Sequence, residues 1–293
     1  MLLPGLTGYG QPAAPMDIVI NEVLFNPPRD GYDYIEGYNR SAKTIDLSEI
    51  KVAGRNSVGD ISGIRPLVRD SKYLPPGVYF VITANEKWLR QQYVIPASAL
   101  ICQVSSLPSL PDDKGTAILQ NTEGEVIDEL SYSASWHFQL ITEASGVSLE
   151  RINYSAPTQD KNNWVSAAAS AGYGTPGSQN SQFRADMIAA GEITVSPAIF
   201  SPDNNGPDGF ALIQYIMDEP GYMANLQIYD QSGIMVRRLL KNTLLGTSGQ
   251  FRWDGLDDRN NRLPQGIYIL FTQVFNLTGK TKKFKQVIVL KRL

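Results

Sequence analysis

Histidine and cysteine are almost missing from this chain: its 293 residues include one of each, His137 and Cys102. A lone cysteine excludes an internal disulfide framework and any zinc or iron–sulfur centre built on several thiolates. A lone histidine removes the multi-histidine metal sites. Also lacking are an apolar run of about 18 to 20 residues, the length of a membrane-spanning helix, and any phosphate-binding loop of the Walker or dinucleotide type. Charged residues are few, at 19%, while hydrophobic residues reach 42%. The chain can therefore bury a core and is not disordered by composition.

What is present is turn chemistry and short β-rich runs. The 25 Gly and 18 Pro punctuate segments such as Ile18 to Phe25, Tyr32 to Tyr38, Val78 to Thr83, Thr116 to Gln120, Val126 to Tyr132 and Ser148 to Arg151. Short β-branched and aromatic runs bounded by Gly, Pro, Asn or Asp predict an all-β sandwich. Helical periodicity is nearly absent. One helix is predicted near residues 84–92, opened by a capping box of Thr83 and Glu86, with Trp88 as its buried contact and Pro96 as its stop. Phe183 to Ala190 is a weaker helical segment.

A second series of strands runs from Ile193 through Phe210 to Met217, Met223 to Tyr229, Met235 to Leu240, Gly249 to Trp253, Gly266 to Asn276 and Lys282 to Leu290. Asp230 to Gly233 and Asn276 to Gly279 supply tight hairpin turns. The length prior of about 100 to 200 residues per domain favours two domains over one. The reading is an all-β chain of two immunoglobulin-like sandwiches in tandem: a tail over 1–16, a first sandwich over 17–181, a linker over 182–192 and a second sandwich over 193–293. The tail has no basic leader and no sustained apolar run, so it reads as a linker and not as a signal peptide.

Charge is unevenly spread. From Ile234 onward there are twelve basic and three acidic residues, a balance of +9, which leaves −12 on the preceding part because the total is −3. Such asymmetry marks either a solvated strand surface or a surface for an anionic partner.

Several residues carry a family resemblance. Asn21-Glu22 with Asn26-Pro27, Asp33 to Glu36 with Asn39, Ile45 to Ser48, Leu74 to Gly77, Gly146 to Glu150 with Arg151, Trp164, and Thr175 to Gly177 with Asn180 resemble the lamin tail domain family. Gly37 departs from it, standing where the family places a large apolar residue, and marks either a locally thinned core or a bulge. The resemblance implies an immunoglobulin-like binding or tethering module without catalysis. Glu22 and Glu36 lie in apolar strands, so each should be exposed or hydrogen-bonded; a paired-carboxylate hydrolase site is the weaker reading. Glu150 and Arg151 point to opposite faces of their strand and are not expected to pair.

The later stretch Trp253-Asp254-Gly255, followed by Leu263-Pro264-Gln265-Gly266-Ile267-Tyr268, resembles the C-terminal immunoglobulin-like domain of flagellar hook-capping proteins, found at the ends of surface proteins of type IX secreting bacteria. Arg259-Asn260-Asn261 replaces its usual Gly-containing turn, and Asn can take the same left-handed backbone.

Asp203, Asn205 and Asp208 offer hard oxygens at nearly alternating spacing, a calcium candidate weighed against an Asx-rich turn. His137 lacks a Gly-x-Ser-x-Gly partner and reads as packed or hydrogen-bonded; Cys102 reads as a buried small hydrophobe. With no cofactor implied beyond that calcium candidate, the leading function is a non-enzymatic secreted or cell-envelope binding module. Its partner would be a protein or envelope component, with no small-molecule substrate and no membrane span. The alternatives are a role of the last domain in type IX secretion, the non-catalytic end of a larger surface nuclease or phosphatase, and, least favoured, nucleic-acid binding.

Overall fold

A computed structural model describes residues 10–184, 191–203 and 209–292. Among the described residues the regular structure is mostly β-strand in several sheets, with one short α-helix, an all-β architecture of immunoglobulin-like sandwiches. It divides into two compact units, Met1–Ala167 with Ala171–Ala185, and Ala168–Ser170 with Asp186–Leu293.

The first unit packs a six-stranded sheet on a four-stranded one. The larger sheet runs in the order Trp164–Ser166, Leu149–Arg151, Ile18–Leu24, Tyr34–Asn39, Tyr79–Thr83 and Leu100–Gln103. Its last pair is parallel, and parallel neighbours need a crossover. That crossover holds the helix Glu86–Gln92.

The helix cap differs from the predicted one. Asn85, not Thr83, is the N-cap, its side chain accepting the Trp88 N–H at 3.0 Å. Thr83 instead donates to the Asp33 carbonyl and accepts the Asn85 N–H, because it is still the last residue of the strand. Leu89, not Trp88, is the buried helix residue. Of the weaker segment 183–190, Phe183 and Arg184 are not helical and 185–190 lie outside the described residues.

Two irregularities set which side chains face inward. Ile18, Ile20, Val23 and Phe25 all join the main core, although a regular strand would turn Val23 away from it. A bulge between Ile20 and Glu22 restores the alternation, so that Asn21, Glu22 and Leu24 lie on the other face. Asp128 shares the inward face of Leu130 and Tyr132 by ordinary alternation, and a second register shift, between Val126 and Asp128, brings Ile127 into the core as well. Gly37 does mark a bulge, standing opposite it as the register partner of Ile20, and the Phe80 ring occupies the space that a side chain at position 37 would take. The core is not thinned there.

The second unit packs a three-stranded sheet, Glu192–Ser196, Ala211–Ile216 and Ser248–Trp253, with a five-stranded one. The five run in the order Ile199–Phe200, Thr281–Leu290, Gly266–Phe275, Met223–Asp230 and Met235–Leu244. Trp253 is fully buried at the centre, edge-to-face with Phe200 and Tyr268 at 5.4 and 5.3 Å. The turns behave as their residues predict: Gly233 and Gly279 have φ of 80° and 83°, and Asn260 takes the left-handed backbone at 61°.

Candidate functional site

The sequence-predicted motif residues of the first unit converge on one buried polar row. Glu36, Glu22 and Glu150 are register partners on three neighbouring strands, and all three are fully buried. Directly opposed residues have β-carbons about 4.5–5.5 Å apart, so the bulge that turns Glu22 outward also lines up three carboxyl groups. They share the outer face of the sheet with Leu24, Tyr34 and Val81, which pack under Leu89 of the helix.

Over the carboxyl groups lies the segment 173–182, and its polar atoms are spent on them. Glu22 Oε1 accepts from Tyr34 Oη at 2.8 Å, from the Thr175 N–H at 2.9 Å and from Ser148 Oγ. Glu150 Oε2 accepts from Ser181 Oγ and the Gln182 N–H at 2.8 and 2.9 Å. Glu36 accepts from Asn21 Nδ2 and the Gly177 N–H. Thr175 Oγ1 stands between Glu22 Oε2, at 3.1 Å, and Glu150 Oε1, at 2.9 Å. Burial pushes all three carboxyl groups up from their ordinary range, Glu150 to about 8. For Glu36 and Glu150 the Glu22 charge adds to the rise.

The Ile20–Glu22 bulge is satisfied by side chains. Asp128 Oδ2 accepts the Ile20 N–H at 2.7 Å, Arg151 Nε donates to the Ile20 carbonyl at 2.7 Å, and Asn180 Nδ2 donates to the Asn21 carbonyl at 2.9 Å. Arg151 and Asp128 form a buried ion pair at 3.2 Å. Thr158 joins it, accepting from Arg151 and donating to Asp128. The Trp164 ring covers the guanidinium at 5.1 Å. Desolvation pulls Arg151 down to about 10. Glu150 and Arg151 do not pair, as the strand geometry predicts, since one faces the carboxyl row and the other this cluster. Asn39 is a loop tie, donating to the Lys43, Leu74 and Pro75 carbonyls.

Sequence reading misses Thr158, and it gives Asp128, inside the Val126 to Tyr132 run, and Ser148, inside the Gly146 to Glu150 motif, no role of their own. The signal for Asp128 is in the alternation, which sets a carboxylate on the core face of Leu130 and Tyr132. His137 is hydrogen-bonded to Ser166 Oγ through Nδ1 at 2.9 Å, and burial lowers it to about 4. Ser166 is itself buried and accepts the Phe138 N–H. Cys102 is a buried free thiol pushed up to about 11.

In the second unit the motif residues also do structural work. Trp253 Nε1 donates to the Leu256 carbonyl, Asp254 accepts the Leu256 N–H, and Tyr268 Oη donates to the Pro264 carbonyl at 2.7 Å. Gly255 has φ 77°, and a side chain there would strike Leu290 and Pro202. Gly266 opens its strand beside empty space. Of the calcium candidates, Asp203 Oδ1 receives Arg292 at 3.0 Å and Arg262 at 3.3 Å; Asn205 and Asp208 lie outside the described residues. Two guanidinium groups already neutralise the Asp203 carboxylate.

Among the described residues of the second unit, none covers the outer face of the five-stranded sheet. Tyr268, Leu270 and Val274 enter the core, so Ile267, Ile269, Phe271 and Gln273 point away from it. Their neighbours by register are Val289, Val287, Lys285 and Lys283, and Ile199 flanks Val289. Ile199, Ile267 and Val287 are 50%, 50% and 58% exposed. None of these outward residues is acidic.

No curated protein matches the chain. Among solved structures, FlgD of P. aeruginosa is 28% identical over 24% of this chain and 55% of its own, with a TM-score of 0.20. PorU of Porphyromonas gingivalis is 11% identical over 89% of this chain and 18% of its own, with a TM-score of 0.28. PorZ of the same organism, a surface component of its type IX secretion system, is 15% identical over 92% of this chain and 30% of its own, at 0.27. The chain thus spans about half of the FlgD structure and less than a third of the other two, and TM-scores of this size define no shared overall fold. Residues 11–134 match the family model described as Lamin Tail Domain, and the strands Leu149–Arg151 and Trp164–Ser166 beyond that match complete the same sheet.

Proposed function

We propose that the chain is a non-enzymatic binding module of the cell surface or envelope, holding its partner through the second unit. The observation that carries this reading is the outer face of the five-stranded sheet, where half-exposed Ile199, Ile267 and Val287 adjoin Lys283 and Lys285 with no acidic side chain among them. Exposed apolar groups beside unopposed cations mark interaction surfaces. The first unit supports the same reading from the other side. Its carboxyl groups are bonded beneath the 173–182 segment, and its one imidazole is bonded to a buried serine. We read the second unit as the hook-capping type on its Trp253-Asp254-Gly255 and Leu263 to Tyr268 motifs; the surface location rests on that resemblance.

The test replaces Lys283 and Lys285 by Glu and Val287 by Asp in the full chain. Retention on the host envelope should be lost while circular dichroism stays unchanged. Full retention of the folded triple variant would overturn the reading, as would robust hydrolase turnover abolished by His137→Ala.

A further inference from the structure

The hydroxyl of Thr175 has one proton to give, yet it lies within hydrogen-bond distance of two carboxyl oxygens, Glu22 Oε2 at 3.1 Å and Glu150 Oε1 at 2.9 Å. If both carboxyl groups were ionised, one contact would set a lone pair of the hydroxyl against an anionic oxygen in a buried site, which is repulsive. The arrangement is attractive at both ends only when one carboxyl carries a proton and donates it to Thr175 Oγ1, while Thr175 donates to the other. The remaining oxygens of the pair are already engaged. Glu22 Oε1 takes three donors and Glu150 Oε2 takes two.

The surroundings agree with a proton held here. Facing the pair are Glu36 from the neighbouring strand, Tyr34 and Ser148 from the sheet, Tyr93 beyond the helix, and Thr175, Ser181 and Gln182 from the covering segment. Among the described hydrogen bonds and ion pairs, no Lys, Arg or His reaches any of the three carboxyl groups. Arg151 points to the opposite face, toward Asp128. Both tyrosines are pushed up by burial and stay protonated through the neutral range.

We propose that Glu22, Thr175 and Glu150 hold one shared proton that latches residues 175–182 onto the sheet of the first unit, and that loss of this proton as the pH rises releases the segment. Deprotonation leaves two anions across one hydroxyl. Opening the segment lets water reach both.

Hydrogen exchange on the full-length protein tests this. Between the ordinary carboxylate value of 4.5 and the Glu150 value of about 8, local opening of amides 175–182 in the wild type should become at least tenfold easier per pH unit, after correction for intrinsic exchange, because opening then releases the shared proton and, from Glu36 beneath Gly177, a further one. In Glu150→Gln the amide supplies the second donor permanently, so the slope of the opening constant should fall by one proton, to the part that Glu36 contributes. Glu22→Gln places the neutral group at the other end and should give the same result, which keeps the test intact if the first variant does not fold. Infrared spectra should show the C=O stretch of protonated carboxyl at neutral pH in the wild type, weakened in the Gln variant by the loss of the shared proton and leaving that of Glu36. A wild-type opening constant independent of pH, or the same slope persisting in a folded Gln variant, would overturn the proposal.

Discussion

The two units bury opposite kinds of side chain. Among the described residues, the buried polar and charged groups fall in the first unit with the exceptions of Ser201 and Thr272. The second unit closes on Phe200, Trp253, Tyr268 and Leu270 and keeps its many cations outside. The reason lies in the backbone. A bulge at Ile20 to Glu22 leaves polar backbone atoms that side chains must satisfy, and a loop segment laid over a sheet face brings unpaired N–H groups that need acceptors. Arg151, Asp128 and Asn180 answer the first need, and the three glutamates answer the second. The second unit has register shifts too, between Met223–Asp230 and Met235–Leu244, but they lie against the edge strand of its sheet, where water can serve the freed backbone groups, and an aromatic centre suffices.

The difference can be broken most sharply at Arg151. Arg151→Ala should destabilise the first unit by about 3–5 kcal/mol, since it leaves Asp128 buried and unpaired. Chemical denaturation followed by Trp164 fluorescence measures this, and Trp253 reports the second unit, which should not move.

Acidity separates the units next. A carboxyl group whose value is raised on folding stabilises fully below its ordinary 4.5 and loses that contribution as the pH climbs toward the raised value, about 8 for Glu150. Asp33, raised by burial to about 7, acts in the same direction. His137 opposes them, because a group lowered from 6.5 to about 4 gains stability for the fold as the pH rises through that interval. Above pH 6.5 that opposition ends. Between there and pH 8 the first unit should lose stability on the order of 1–3 kcal/mol while the second stays level. Denaturant midpoints read across that window measure it, and a rise or a flat line for the first unit would contradict the burial of its carboxyl groups.

A loss of similar size, about 1–3 kcal/mol, is expected for Asn180→Ala, which strips donors from the Asn21 and Arg151 carbonyls in a buried setting. The smallest belongs to the second unit. Tyr268→Phe keeps the ring against Trp253 and removes one hydrogen bond to Pro264, at a cost of about 0.5–1.5 kcal/mol by the same measurement.

Particular residues show how far the sequence can be read. The strands at Ile18 and Gly266 are visible because runs of β-branched and aromatic residues are bounded there by turn residues. Tyr34–Asn39 is visible too, yet Ile45–Asp46, Ile61–Pro66 and Ile199–Phe200 are not, being too short or too mixed to show a period. The helix is legible but its cap is not, since Thr83 and Asn85 are both good caps. Tertiary pairing of Thr83 in the sheet chooses between them.

By itself the sequence determined the all-β class, the scarcity of metal and thiol chemistry, the turns at Gly233, Asn260 and Gly279, and the motif residues as a set. These are local matters: composition, period and φ preference act within a few residues. Only the tertiary structure decided that Glu22, Glu36 and Glu150 stand in one row under residues 173–182. It also decided that Asp128 meets Arg151, and that the cations at 283 and 285 share a face with bare isoleucine and valine. Those juxtapositions depend on strand order and on bulges that shift register by one residue, and the pairing of distant strands is set by packing that no short window of sequence contains.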